Sequence, residues 1–135
     1  MRIEGGCHCG RIGYVADIDP ATVTICHCTD CQALSGSAFR TVVPAPAAAF
    51  RLTGEPKVYV KTGESGARRA QAFCAECGSP IYSSAVEKPQ VYNIRLGTCR
   101  QRRDLPPRRQ IWCRSSLGWL ADLGGLARHE RQPPA

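Results

Sequence analysis

The chain is poor in the residues that fill a large core. Phe, Trp and Tyr make up 7% of its 135 residues, and it has a single methionine. No apolar run approaches the ~18 residues that a membrane-spanning helix needs. The first ten residues, MRIEGGCHCG, hold no apolar h-region and no cleavage site. The expectation is therefore a cytoplasmic chain without a secretory signal and without a membrane partner. Acidic residues are also scarce, 11 against 18 Lys and Arg, for a formal charge of +7.

What the chain has in excess is turn formers and cysteine. Gly (13), Pro (10) and Cys (9) are all abundant. A chain of this length makes one domain, but at this size the fraction of surface buried is modest. Such a domain gains from cross-links. In a reducing compartment clustered cysteines bind metal more often than they pair as disulfides, and an odd count fits a disulfide framework poorly.

The pattern of short alternating stretches predicts a mainly β fold of about eight strands with little helix. RIGYVA at 11–16, TVTI at 22–25, FRTVV from Phe39, KVYVK at 57–61, PIYSS after Cys77, VYNIRL at 91–96 and QIW at 110–112 read as strands. Pro44 and Pro46 are expected to end the strand from Phe39. Residues 47–50 suit one helical turn. SLGWLADLGGLA has helical and turn character interrupted by Gly124 and Gly125, and the residues from 124 to 135 read as a tail. The cysteine motifs are expected in loops, and the apolar VYNIRL is expected at a sheet edge, where it would support a homodimer.

The cysteines fall into three groups: CHC at 7 and 9, CHCTDC at 26, 28 and 31, and CAEC at 74 and 77. Zinc takes thiolates in tetrahedral geometry, and closely spaced cysteines place two sulfurs on one ion. Cys7, Cys9, Cys74 and Cys77 together supply a closed four-sulfur site that ties the amino terminus to the middle of the domain. Cys26, Cys28 and Cys31 supply three ligands, the pattern of a catalytic site with one open position. Closure of that site by Cys99 or Cys113 is the alternative. His8 and His27 each lie between two ligating cysteines and are expected to point away from the ions. His129 is expected in solvent.

GGCHCG at 5–10, CHCTDCQALSGSAF at 26–39 and FCAECGSPIY at 73–82 resemble, in order and spacing, the motifs of the glutathione-dependent formaldehyde-activating enzymes, the GFA family, which includes the centromere protein V relatives. The resemblance covers residues 1–123. It implies a β-tent of antiparallel sheets meeting over zinc, with a structural ion on Cys7, Cys9, Cys74 and Cys77 and a catalytic ion on Cys26, Cys28 and Cys31, two per chain. It implies a carbon–sulfur lyase joining formaldehyde, or another small aldehyde, to the thiol of glutathione, with S-hydroxymethylglutathione as the adduct. Ser35, Gly36, Ser37 and Phe39, just after the ligands, are the expected pocket residues. Two positions depart from the family's habit. Gln32 stands where an arginine often follows the CxxC, and Gln110 stands near the place of a histidine.

Fifteen of the basic residues are arginine, and seven of them (Arg95, Arg100, Arg102, Arg103, Arg108, Arg109 and Arg114) share one segment with a single acid, Asp104. Arginine suits the two carboxylates of glutathione. The competing reading is a zinc-stabilised binding module whose basic surface meets nucleic acid or a protein partner. Few aromatics accompany the arginines, so base stacking has little support.

Overall fold

The computed structural model describes residues 1–134. In chain order the described residues form β1 (Arg2–Gly6), β2 (Gly13–Asp17), β3 (Thr24–Cys26), α1 (Thr29–Ser35), β4 (Arg40–Pro46), β5 (Phe50–Thr53), β6 (Lys57–Thr62), β7 (Arg68–Phe73), β8 (Pro80–Ala85), β9 (Val91–Arg95) and β10 (Arg109–Ile111). The fold is mainly β, in two sheets. A three-stranded sheet runs β1-β2-β5, and a seven-stranded sheet runs β10-β3-β4-β9-β8-β7-β6. Every pair is antiparallel except β10 with β3, which is parallel.

The seven-stranded sheet has one core face and one polar face, because successive side chains of a strand alternate. In register, Ala45 meets Tyr92 and Val43 meets Ile94, which meets Tyr82. These side chains face the core. From the other sheet come Ile3, Tyr14 and Ala16, with Ile12 and Ile18 beside them. Four of the few aromatics gather here. Phe50 stacks on Tyr92 at 4.6 Å and meets Tyr82 edge-on at 5.6 Å and Tyr14 at 6.0 Å. Such pairs contribute about 0.5–1.5 kcal/mol each beyond their burial.

The opposite face is the one that matters for function. Cys26 pairs with Arg40, Val42 with Arg95, Asn93 with Ser83, Ser83 with Gln71 and Gln71 with Tyr59. Alternation puts all of these on one face. Helix α1 lies over it, and Lys61 of β6 reaches Asp30 of α1 at 2.7 Å.

Four expectations are corrected. Pro44 and Pro46 do not end β4; they lie past Val42, its last residue paired with β3, on a stretch that has only β9 for a partner. A missing N–H costs no ladder bond there. VYNIRL is not an edge, since β9 sits between β4 and β8; the edges are β10 and β6. The cysteines are not all in loops, because Cys26 ends β3 and Cys31 lies in α1. Gly124 and Gly125 do not interrupt SLGWLADLGGLA, whose helical and turn character takes the form of 3-10 turns over Gly118–Gly125. The helical turn expected over residues 47–50 is present as a 3-10 turn at Ala47–Ala49, and Phe50 begins β5. The tail's last residue, Ala135, lies outside the described residues.

Candidate metal centres and active site

The first centre joins two turns from distant parts of the chain. Cys7 follows β1, and Cys74 follows β7. The Sγ atoms of Cys7 and Cys9 lie 3.6 Å apart, and those of Cys9 and Cys74 lie 3.7 Å apart. With Cys77, all four sulfurs are within 4.8 Å of one another. Disulfide sulfurs are about 2.0 Å apart, so these are not bonded pairs. Zn–S bonds near 2.3 Å set tetrahedron edges of about 3.8 Å, and the spacings fit that figure.

Local backbone builds the centre. The Ile12 N–H donates to Cys7 Sγ at 3.2 Å, and the Ser79 hydroxyl lies 3.3 Å from Cys77 Sγ. That Ser79 contact is the main reason the Cys77 thiol is drawn down to about 5. Gly78 takes φ +78° and returns its N–H to the Cys74 carbonyl at 2.8 Å. A residue with a Cβ is strained there. Gly5 matters for another reason: a Cβ on it would come within 2.2 Å of the Thr98 carbonyl oxygen. Only glycine lets β1 pass closely enough to deliver Cys7.

The second centre is Cys26, Cys28 and Cys31, whose sulfurs also lie within 4.8 Å of one another. Cys28 is the N-cap of α1, its sulfur accepting from the Cys31 N–H at 3.2 Å. Cys28 and Cys31 are thus held together by the first turn of a helix, while Cys26 comes from the end of β3. Among the described residues no fourth His, Cys, Asp or Glu joins them. Cys99 is buried in the core, and its thiol donates to Gln101 Oε1 at 3.5 Å. Cys113 is exposed. Neither closes the cluster.

Cys26 and Cys31 are pushed in opposite directions by their contact. A hydrogen bond from Cys31 draws Cys26 down to about 5, while that same bond and burial push Cys31 up. One sulfur is a thiolate at the expense of the next. A cation between them removes that competition, which is the donor chemistry of a soft-metal site.

Both histidines between cysteines turn away, as expected. His8 is exposed and gives its backbone N–H to Ser79 Oγ. His27 is 2% exposed; its Nε2 lies 2.7 Å from Gln110 Oε1, and its ring packs against Phe39 at 5.9 Å. Gln110 and Gln32, the two departures from the family's habit, both brace the second centre. Gln32 Nε2 donates to the carbonyls of His27 at 2.9 Å and Ser115 at 3.0 Å. The carboxyl-terminal strand β10 is thereby tied to the cysteine loop, with the His27 N–H donating to the Ile111 carbonyl at 3.1 Å.

Two cavities open on the polar face beside α1. One, of about 420 Å³, is lined by Leu34, Tyr59, Gln71, Phe73, Arg40 and Arg95. The other, of about 340 Å³, is lined by Ser35, Phe39, Thr41, Ser79, Arg40 and Arg95 among others. Ser35 and Phe39 are thus lining residues of the second cavity. Gly36 and Ser37 do not line either cavity. Gly36 caps α1 at φ 64°, and the Ser37 N–H donates to the Gln32 carbonyl at 3.2 Å.

Arg40 and Gln71 were missed by sequence reasoning. The available signal for Arg40 was an arginine inside the otherwise apolar strand that follows the cysteine loop. Arg40 is 6% exposed and Arg95 7% exposed. Burial lowers the pKa of both; for Arg40 the neighbouring cysteine cluster works the other way, and for Arg95 burial and then the Arg40 charge bring it to about 9. The rest of the arginine-rich segment is dispersed. Arg100 pairs with Glu4 at 3.0 Å, Arg109 Nε donates to Thr24 Oγ1 at 2.8 Å, and Arg114 sits 5.4 Å over the Trp112 ring.

Comparison with known proteins agrees with this geometry. The family model described as glutathione-dependent formaldehyde-activating enzyme matches residues 2–115. A crystal structure of a Rhodobacter sphaeroides protein, a structural-genomics target, is similar with a TM-score of 0.61 and 19% identity, covering 79% of this chain and 98% of that one. At that identity the likeness concerns the fold. No curated protein matches.

Proposed function

The chain belongs to the glutathione-dependent formaldehyde-activating enzyme family, and on that premise we propose that it is a zinc-dependent carbon–sulfur lyase-like enzyme. Its substrate is an adduct of glutathione, or another small thiol, with a small aldehyde, such as S-hydroxymethylglutathione. The observation that carries this reading is the cluster of Cys26, Cys28 and Cys31 with no fourth ligand among the described residues. Zinc bound there would supply an open position at which a thiolate or a carbonyl oxygen is stabilised at neutral pH.

The chain's own residues do the positioning. Arg40, directly across from Cys26, puts a positive charge beside the sulfurs. Leu34, Phe73 and Tyr59 give the cavity apolar walls. The Ser35 hydroxyl, already within 3.4 Å of the Gln32 carbonyl, offers an oxygen at the rim. The four-sulfur centre acts as a staple, with residues 1–123 as the working domain and 124–135 as its tail. All nine cysteines are free, which suits a cytoplasmic setting where thiols stay reduced.

The test is the rate of adduct exchange between glutathione and formaldehyde, followed by NMR above the spontaneous rate. Acceleration by the wild-type protein that disappears in Cys28→Ser supports the reading. A protein holding two zinc ions that does not accelerate exchange contradicts it.

A further inference from the structure

The two buried arginines of the polar face have no acid of their own. Among the described residues the ion pairs are Lys61–Asp30 and Arg100–Glu4, and neither involves Arg40 or Arg95. Instead one neutral oxygen serves both: Gln71 Oε1 accepts from Arg95 Nη2 at 2.6 Å and from Arg40 Nη1 at 3.2 Å. Each guanidinium has five donors, and the Nε of each is buried without a partner. A buried cation without a counter-charge is costly. Three thiolates on a divalent ion would answer only one of the two positive charges.

Both arginines line both cavities, so the volumes of about 420 and 340 Å³ meet at this pair. Spaces of this size suit a small ligand. Arginine is the side chain best matched to a carboxylate, through two parallel N–H donors. We propose that Arg40 and Arg95 form a carboxylate-binding subsite, with Gln71 holding the two guanidinium groups in place. The substrate therefore carries an acid group, anchored beside α1 while its reacting end meets Cys26, Cys28 and Cys31. Only the choice of which end reacts rests on the lyase reading; the anchoring of an acid does not.

The carboxylate has two possible bearers, the thiol or the aldehyde. Two probes separate them on the metal-loaded protein at fixed ionic strength. S-methylglutathione has carboxylates but no free thiol, and glyoxylate is an aldehyde with a carboxylate. Binding is read by calorimetry. The subsite predicts that at least one probe binds, and that Arg95→Gln weakens it about 10- to 100-fold, the loss of a charge-assisted contact. Loss for S-methylglutathione, repeated when its carboxylates are esterified, assigns the acid to the thiol. Loss for glyoxylate assigns it to the aldehyde.

A second variant guards against a misfolded Arg95→Gln. Gln71→Glu places a carboxylate where both guanidinium groups already point, so it folds, melts no lower than wild type, and no longer binds the probe. Probe binding equal to wild type in both variants, or no binding of either probe to the wild-type protein, overturns the subsite. Intact probe binding in a protein without adduct exchange would instead retire the lyase reading and leave the subsite standing.

Discussion

Cys26 and Arg40 stand opposite each other on neighbouring strands, in register, on the polar face of the seven-stranded sheet. Side chains so paired have Cβ atoms about 5 Å apart. The pairing sets a sulfur cluster that gathers negative charge across from a buried arginine. Arg40 also lines both cavities, so the strand position across from Cys26 borders them.

Proton sharing in the second cluster gives a pH signature. Cys26 is drawn down to about 5 by the Cys31 hydrogen bond, from 9.0. Between those values the unfolded chain holds a proton that the folded chain has lost, so this contribution to stability rises with pH across the interval. It is fully present above about pH 9 and is lost as pH falls through about 5. With the second metal removed and the first retained, thiolate absorbance near 240 nm should step near pH 5. The part of that step due to Cys26 should vanish in Cys26→Ser; an unchanged step would count against the assigned proton sharing.

The first cluster should behave as a folding element. Cys74 is 2% exposed and packs within the core. Cys74→Ser should release one metal and lower stability by several kcal/mol, since binding energy at a structural site is folding energy. The check is far-UV circular dichroism with thermal melting. A Cys74→Ser protein that melts like the wild type would remove the staple role.

Gly5→Ala tests the close approach of β1. The added Cβ meets backbone, the Thr98 oxygen at 2.2 Å, and the Tyr14 hydroxyl at 2.5 Å. Backbone cannot rotate away, so the cost should be that of overpacking, about 1–3 kcal/mol. Urea unfolding measures it, and a change below about 0.5 kcal/mol, the ordinary scatter of harmless substitutions, would show that β1 can withdraw freely.

Much of this site was legible in the sequence because metal ligands leave short, local spacings. Cys7, Cys9, Cys74 and Cys77 come together as read, and Cys26, Cys28 and Cys31 remain a set of three. The helix that carries Cys31 and is capped by Cys28 has its own sequence signal, an i, i+3 pair followed by a stretch ending at glycine. What spacing could not show is what stands across a strand. Arg40 meets Cys26 only through the β3–β4 register, and Gln71 meets Arg95 only after the sheet is ordered. VYNIRL looked like an edge because its apolar alternation says that one face is buried, not how many neighbours the strand has. The strands β1 and β5 were hidden by the glycines of RIEGG and by the shortness of FRLT.

The measurement that bears most directly on the whole account is metal content per chain in freshly purified protein, wild type beside Cys28→Ser. Two zinc ions per chain are expected in the wild type and one in the variant, with the fold of the variant unchanged. One ion per chain in both proteins would mean that Cys26, Cys28 and Cys31 hold no metal, and the open centre on which the proposed chemistry depends would be gone.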